Sequence, residues 1–324
     1  MILRIGKSLL RLGFLFALPA AADPHPHAFA GIETYLIESP SATVTDLSGL
    51  AICRGQLLAV SDKISDTIFA ITVVDGRASI APALHIPPPP QRKTSYHAPA
   101  NLLYRLDAAR YADRLDWEGI ACRGDTIYLL SERNNAVLKL AGNSSSWLPV
   151  DWYEPLYRTG FLHTYNAFVE GIALRDDNTF LIAIEREPRG IMTLQRDAAD
   201  AWKITASALS NDKPLPFRAG NPDVADIAIH RDSAFTLERN ASAICRRDAQ
   251  TLRTDSCFSY FDIEDDARWR YADSNFGIGE GLAMDDQWIY IVFDSNDKTR
   301  IDAADDHRSL LLRIPLPLSW RMPR

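Results

Sequence analysis

Short runs of apolar, β-branched and aromatic residues follow one another from about residue 32 to residue 316, separated by turns rich in Asp, Gly, Asn and Arg, and a helical period is weak throughout. This pattern predicts short strands joined by tight turns. Strands are expected near Glu118–Cys122, Ile127–Ser131, Ala136–Leu140 and Trp147–Trp152, with turn residues between each pair. After Ile278 only three strands fit: the one that begins there, Trp288–Phe293 and Ser309–Leu316. Ile32–Ile37, far away in sequence, is the natural fourth.

The pattern repeats. Asp46–Lys63 (DLSGLAICRGQLLAVSDK), Asp116–Arg133 (DWEGIACRGDTIYLLSER), Phe168–Arg186 (FVEGIALRDDNTFLIAIER), Val224–Arg239 (VADIAIHRDSAFTLER) and Ile278–Ser295 (IGEGLAMDDQWIYIVFDS) share one grammar. A polar or acidic residue precedes a Gly-hydrophobic-Ala step, a turn follows, and a β-rich strand ends on an acid; the fourth copy lacks the Gly. The starts at 46, 116, 168, 224 and 278 are 70, 52, 56 and 54 residues apart. About 40 to 50 residues make a four-stranded propeller blade, so the expected fold is all-β: a five-bladed β-propeller of four-stranded blades, its ring closed by the N-terminal strand joining the C-terminal blade. Closure of that kind removes exposed sheet edges. The alternative is six blades, with one hidden in the long first interval. That excess contains Pro87–Pro90, which cannot donate to a ladder, and is read as a Pro-rich loop inserted around 86–100.

The ends and the composition narrow the setting. Arg4, Lys7 and Arg11 precede a short apolar run, Leu12–Pro19, and then Ala20, Ala21 and Ala22. This reads as a signal peptide over residues 1–22, followed by a single propeller domain over 23–324 in the periplasm or outside the cell, with no membrane span after cleavage. Removal of the three positive charges takes the formal charge from −7 to −10. No basic stripe is present to neutralise phosphates, which argues against a nucleic-acid partner. A monomer acting on a small anionic substrate, or engaging an envelope partner, is expected. Cys245 and Cys257 flank a hairpin-like stretch and are expected to pair; Cys53 and Cys122 sit at equivalent places in neighbouring repeats and are either bridged or buried thiols.

First strands of propeller blades line the central channel. Glu118, Glu170, Asp226 and Glu280 are therefore expected to converge there, with Ser48 in the equivalent place of the first repeat. Such a ring needs a counter-charge, which a hard cation such as Ca²⁺, a ring of basic residues or shared protons would supply; the alternative to the metal reading is hydrogen bonding to nearby backbone amides. A second acidic set, Asp62, Glu132, Glu185, Glu238 and Asp294, ends the second strands. Arg133, Arg186 and Arg239 follow three of these acids and form either a basic rim that binds substrate or a series of inter-blade ion pairs. The catalytic residues are unknown at this level: GxSxG, HExxH and GxxxxGK[ST] are all absent, and His97 and His163 are the histidines placed to act from a face loop.

DLSGLA, DWEGIA, FVEGIA, DVADIA and GEGLAMD, with strands ending SDK, SER, IER, LER and FDS, resemble the SdiA-regulated family and the related proteins described as having esterase-like activity of phytase. The similarity covers about residues 31 to 318. It implies an exported propeller, five-bladed in the SdiA-regulated group, with channel acids that hold calcium; the phytase-like relatives add phosphoester or ester hydrolysis. The chain departs from the pattern at VADIA and at Asp294-Ser295, and a full phytase calcium set is not matched. Two readings result: a metal-dependent hydrolase of phosphate esters, esters or lactones, and a non-catalytic binding propeller whose cation or acid ring is structural.

Overall fold

The computed structural model describes residues 26–39, 46–92, 97, 102, 103, 106, 114–210, 215–272 and 274–321. The expected signal peptide and most of the inserted loop beyond Arg92 lie outside these residues. Strands dominate: β1 (His27–Ala28), β2 (Glu33–Glu38), β3 (Leu47–Cys53), β4 (Gln56–Ser61), β5 (Thr67–Val74), β6 (Arg77–His85), β7 (Trp117–Arg123), β8 (Thr126–Ser131), β9 (Ala136–Ala141) and β10 (Ser144–Trp147). They continue as β11 (Val169–Asp176), β12 (Thr179–Ile184), β13 (Gly190–Arg196), β14 (Trp202–Ala208), β15 (Asp226–His230), β16 (Ser233–Glu238), β17 (Ala243–Asp248), β18 (Thr254–Ser259), β19 (Gly279–Met284), β20 (Trp288–Phe293) and β21 (Leu310–Pro315).

Antiparallel four-stranded sheets are the unit: β7 to β10, β11 to β14, and β15 to β18 with β1 added in parallel outside. The strands β3 to β6 and β19 to β21 are joined through β2, which pairs antiparallel with β21 over Glu33–Leu36 and in parallel with β6 at Ile37 and Glu38. The first strand of each unit packs on the next: β3 on β7, β7 on β11, β11 on β15, β15 on β19, and β19 back on β3. This closed cycle of first strands, each leading an outward meander, is a β-propeller.

Apolar faces of adjacent sheets make the core. Between the first two blades, Leu58, Val60 and Ile68 pack against Trp117, Leu129 and Leu138. Trp117 is fully buried and its indole N–H donates to the Ser65 carbonyl at 3.0 Å, so its large apolar area is removed from water without stranding a polar group. The strand expected at Trp147–Trp152 ends at Trp147. Pro149 has no N–H with which to extend the ladder, and a short helix, α1 (Tyr153–Arg158), follows. Both cysteine pairs are bridged: Cys245 and Cys257 face each other across β17 and β18, and Cys53 and Cys122 join β3 to β7. Among the described residues no helix is long and apolar enough to cross a membrane.

Candidate functional site

Strand pairing determines which side chains reach the channel. In four blades the ladder between the first and second strands skips a residue: Leu47 pairs with Ser61 and Gly49 with Val60, Trp117 with Ser131 and Gly119 with Leu130, Gly279 with Phe293 and Gly281 with Val292, with an equivalent shift between Val169 and Ile172. The residues at these bulges are Ser48, Glu118, Glu280 and Glu170. A bulge re-aims the extra side chain, and all four line the axial cavity. The fourth blade has no bulge here, since Asp226 pairs with Leu237 and Ile227 with Thr236.

The ladder also realigns the fourth repeat. Ala51, Ala121, Ala173 and Ala283 pair with Leu58, Tyr128, Leu181 and Tyr290, and the residues four places beyond those partners are Asp62, Glu132, Glu185 and Asp294. Ala228 pairs with Phe235, so the equivalent of these acids is Arg239, and the equivalents of the bulged glutamate and its glycine are Ala225 and Asp226. Asp226 thus stands in the glycine layer and does not line the cavity. Its carboxylate accepts the N–H groups of Ile227 at 2.7 Å and Leu282 at 2.6 Å, while burial pushes its pKa well above the usual carboxylate range. Gly171 faces it because no side chain fits: a Cβ there would lie 2.2 Å from Asp226 Oδ1. Beyond this layer the same strands surround a smaller apolar hollow of about 140 Å³, lined by Ile52, Ile120, Leu174, Ile229 and Met284. The channel is an acidic cup on one side of a tight glycine layer and an apolar one on the other.

The acidic cup has a volume of about 440 Å³, and among the described residues nine carboxylates line it against three guanidinium groups, those of Arg186, Arg218 and Arg239. Its charge is unevenly answered. Arg239 is the hub of one side: Nε binds Asp223 Oδ2 at 2.8 Å, Nη1 lies 2.7 Å from both oxygens of Glu280, and Nη2 reaches Glu185. These carboxylates hold the Arg239 pKa well above its ordinary value despite burial. Arg186 pairs with Glu185 and donates to the Asn166 carbonyl at 2.8 Å. On the opposite wall, Asp116, Glu118 and Glu132 each offer a carboxylate oxygen within 4.8 Å of the others. Glu118 is pushed well up by burial and then by Glu170 and Asp116; Glu132 is raised by burial and by Asp116, although the Phe168 N–H donates to it at 2.9 Å. Burial also lifts Asp62 to about 7 and Asp294 to about 8, with neighbouring acids adding to both shifts.

Of the residues expected at the site, Glu118, Glu170, Glu280, Arg186 and Arg239 come together in the cup. Arg133 lines a separate cleft. Glu238 lies outside the cup, buried with Arg189 and with Arg247 at 2.7 Å. His97 and His163 stack on the two sides of Tyr157, with ring centroids 4.1 and 4.0 Å away, and do not line the cup. Asp116 and Arg218 were not singled out from sequence. Asp116 had a signal, since the first two repeats both open on Asp, at Asp46 and Asp116, and both adopt left-handed backbone with φ of 61° and 58°. Arg218 lies between repeats and had none.

The donors suit a hard divalent cation. Oxygens bound at 2.3–2.6 Å to one Ca²⁺ can be at most about 5 Å apart, and the Asp116, Glu118 and Glu132 set meets that condition.

No family model and no curated protein matches the sequence. Among solved structures the chain is similar to glutaminyl cyclase of Myxococcus xanthus, at 10% identity over 88% of this chain and 97% of that one, with a TM-score of 0.49. It is also similar to a luciferin-regenerating enzyme, at 12% identity over 86% and 79% with a TM-score of 0.44, and to YCF48 bound to a D1 peptide, at 11% identity over 91% and 99% with a TM-score of 0.35.

Proposed function

We propose that this chain is an exported, five-bladed propeller of the SdiA-regulated and phytase-like kind, and that its acidic cup is a Ca²⁺-dependent hydrolase site for a small phosphate ester, ester or lactone. The observation that carries this reading is the convergence of Asp116, Glu118 and Glu132 on the wall opposite Arg239. These three would hold the cation, with Glu170 beside them. A bound divalent ion supplies Lewis acidity and a more acidic water. Ser48 is a poor nucleophile, because its hydroxyl donates to the Trp117 carbonyl, and the described lining residues include no His, Cys or Lys. In this reading water is the nucleophile. Asp62, whose charge is felt by both Asp116 and Glu118, is the acid that takes its proton. Arg186 and Arg218 orient the substrate anion.

The test is thermal unfolding with EDTA and with Ca²⁺, elemental analysis of the purified protein, and turnover of a chromogenic phosphate ester, an acetyl ester and a lactone. Expected are a midpoint that falls with chelator and recovers with Ca²⁺, and turnover lost in Glu118→Gln without unfolding. Turnover by a folded Glu118→Gln, Glu132→Gln double variant would sink the hydrolase. The Arg239 network favours a second reading, in which the acid ring is structural and the propeller binds without catalysis. A protein that carries no metal and shows no shift with Ca²⁺ leaves that reading in its place.

A further inference from the structure

Away from the channel, a cleft of about 730 Å³ opens between the first two blades and differs from the cup in charge and character. Among the described lining residues Arg92, Arg114 and Arg133 stand with one carboxylate, Asp66, and the apolar surface comes from Ile86, Leu115, Trp147 and Pro88–Pro90. Three guanidinium groups share one concavity on a chain of net charge −7. The proline wall is fixed in place: the Trp147 indole N–H donates to the Pro90 carbonyl at 2.7 Å, Ser145 Oγ to the Pro88 carbonyl at 3.4 Å, and Arg92 Nη2 to the Val150 carbonyl at 3.0 Å. Anchored in this way, Arg92 keeps a buried Nε that has no hydrogen-bond partner among the described residues.

We propose that this cleft binds a small aromatic anion, with its carboxylate, sulfonate or phosphate on the guanidinium groups and its ring against Trp147 and the prolines. Its volume lies within the usual range of about 300–1,000 Å³ for small-molecule sites. Guanidinium forks match planar and tetrahedral oxyanions in a way that a lone ammonium does not. The site is independent of the channel chemistry.

Calorimetric titration with naphthalene-2-sulfonate, which has no ester to hydrolyse, tests the proposal. One equivalent should bind per chain and quench tryptophan fluorescence. Uncharged 2-naphthol should bind at least tenfold more weakly, and Arg133→Gln and Arg92→Gln should each weaken the sulfonate at least tenfold while Glu118→Gln leaves it unchanged. Trp147→Phe should abolish most of the quench. Absence of saturable binding, equal affinity for 2-naphthol, or loss of binding in Glu118→Gln would overturn it. The comparison with 2-naphthol uses the unmodified chain and so holds even if an arginine variant fails to fold.

Discussion

At the scale of single residues the fourth repeat is the one that breaks the symmetry of the ring. Ala225 removes a carboxylate where other blades keep a polar or acidic group, and Arg239 places a positive charge where the others carry an acid. The ring thereby supplies part of its own counter-charge. Arg239→Gln should leave Glu185, Asp223 and Glu280 buried without their shared cation and cost about 3–5 kcal/mol, measurable by denaturant unfolding. Asp62 and Asp294 give a pH dependence of definite sign. Their folded pKa values, about 7 and about 8, lie above the unfolded one, so the folded state binds more protons between pH values of about 4 and 8. Metal-free protein should therefore be most stable toward the acid end of that window and lose stability as pH rises through it. Melting curves in EDTA across this range check it, and a rising stability would contradict the assignment.

At the scale of elements the strands were largely legible, since β-branched and aromatic runs between turn residues marked every repeat. The bulge was not. Sequence alone aligned the Asp of VADIA with the glutamates of EGIA and EGLA, whereas the ladder pairs Asp226 one step further on, with the glycines. A one-residue shift of that sort changes which face a side chain occupies, which is why Glu118, Glu170 and Glu280 were recognised as channel residues while Asp226 was misplaced among them. Arg133 went astray for a related reason: following an acid in sequence does not fix the direction of a residue beyond a strand end. The glycine layer has its own test. Gly171→Ala would force Cβ against Asp226 and should cost about 1–3 kcal/mol, and unchanged stability would show that the layer is looser than its geometry. The Cys53–Cys122 bridge joins the first strands of two neighbouring blades, and Cys53→Ser with Cys122→Ser should lower stability by about 2–4 kcal/mol under oxidising conditions.

At the scale of the whole molecule, the repeat made the propeller legible, and spacing alone located the inner strands. The distribution of charge around the axis was not, because it depends on which carboxylates meet across blades: Asp116, Glu118 and Glu132 come from two strands of one blade, while Arg239 gathers acids from its neighbours. The partnership of β2 with β21 bears on how the ring comes into being. Residues 33 to 36 leave the ribosome first among the strands of their blade, yet the segment they pair with, 310 to 313, is made more than two hundred residues later. Every intermediate of synthesis shorter than that has β6 within reach of Ile37 and Glu38 but no partner for residues 33 to 36, and an open seam between its first and last sheets. Closure is therefore a late event that waits for residues 310 to 315, and a truncation that removes them should yield a sticky, aggregation-prone arc in place of a slightly smaller propeller.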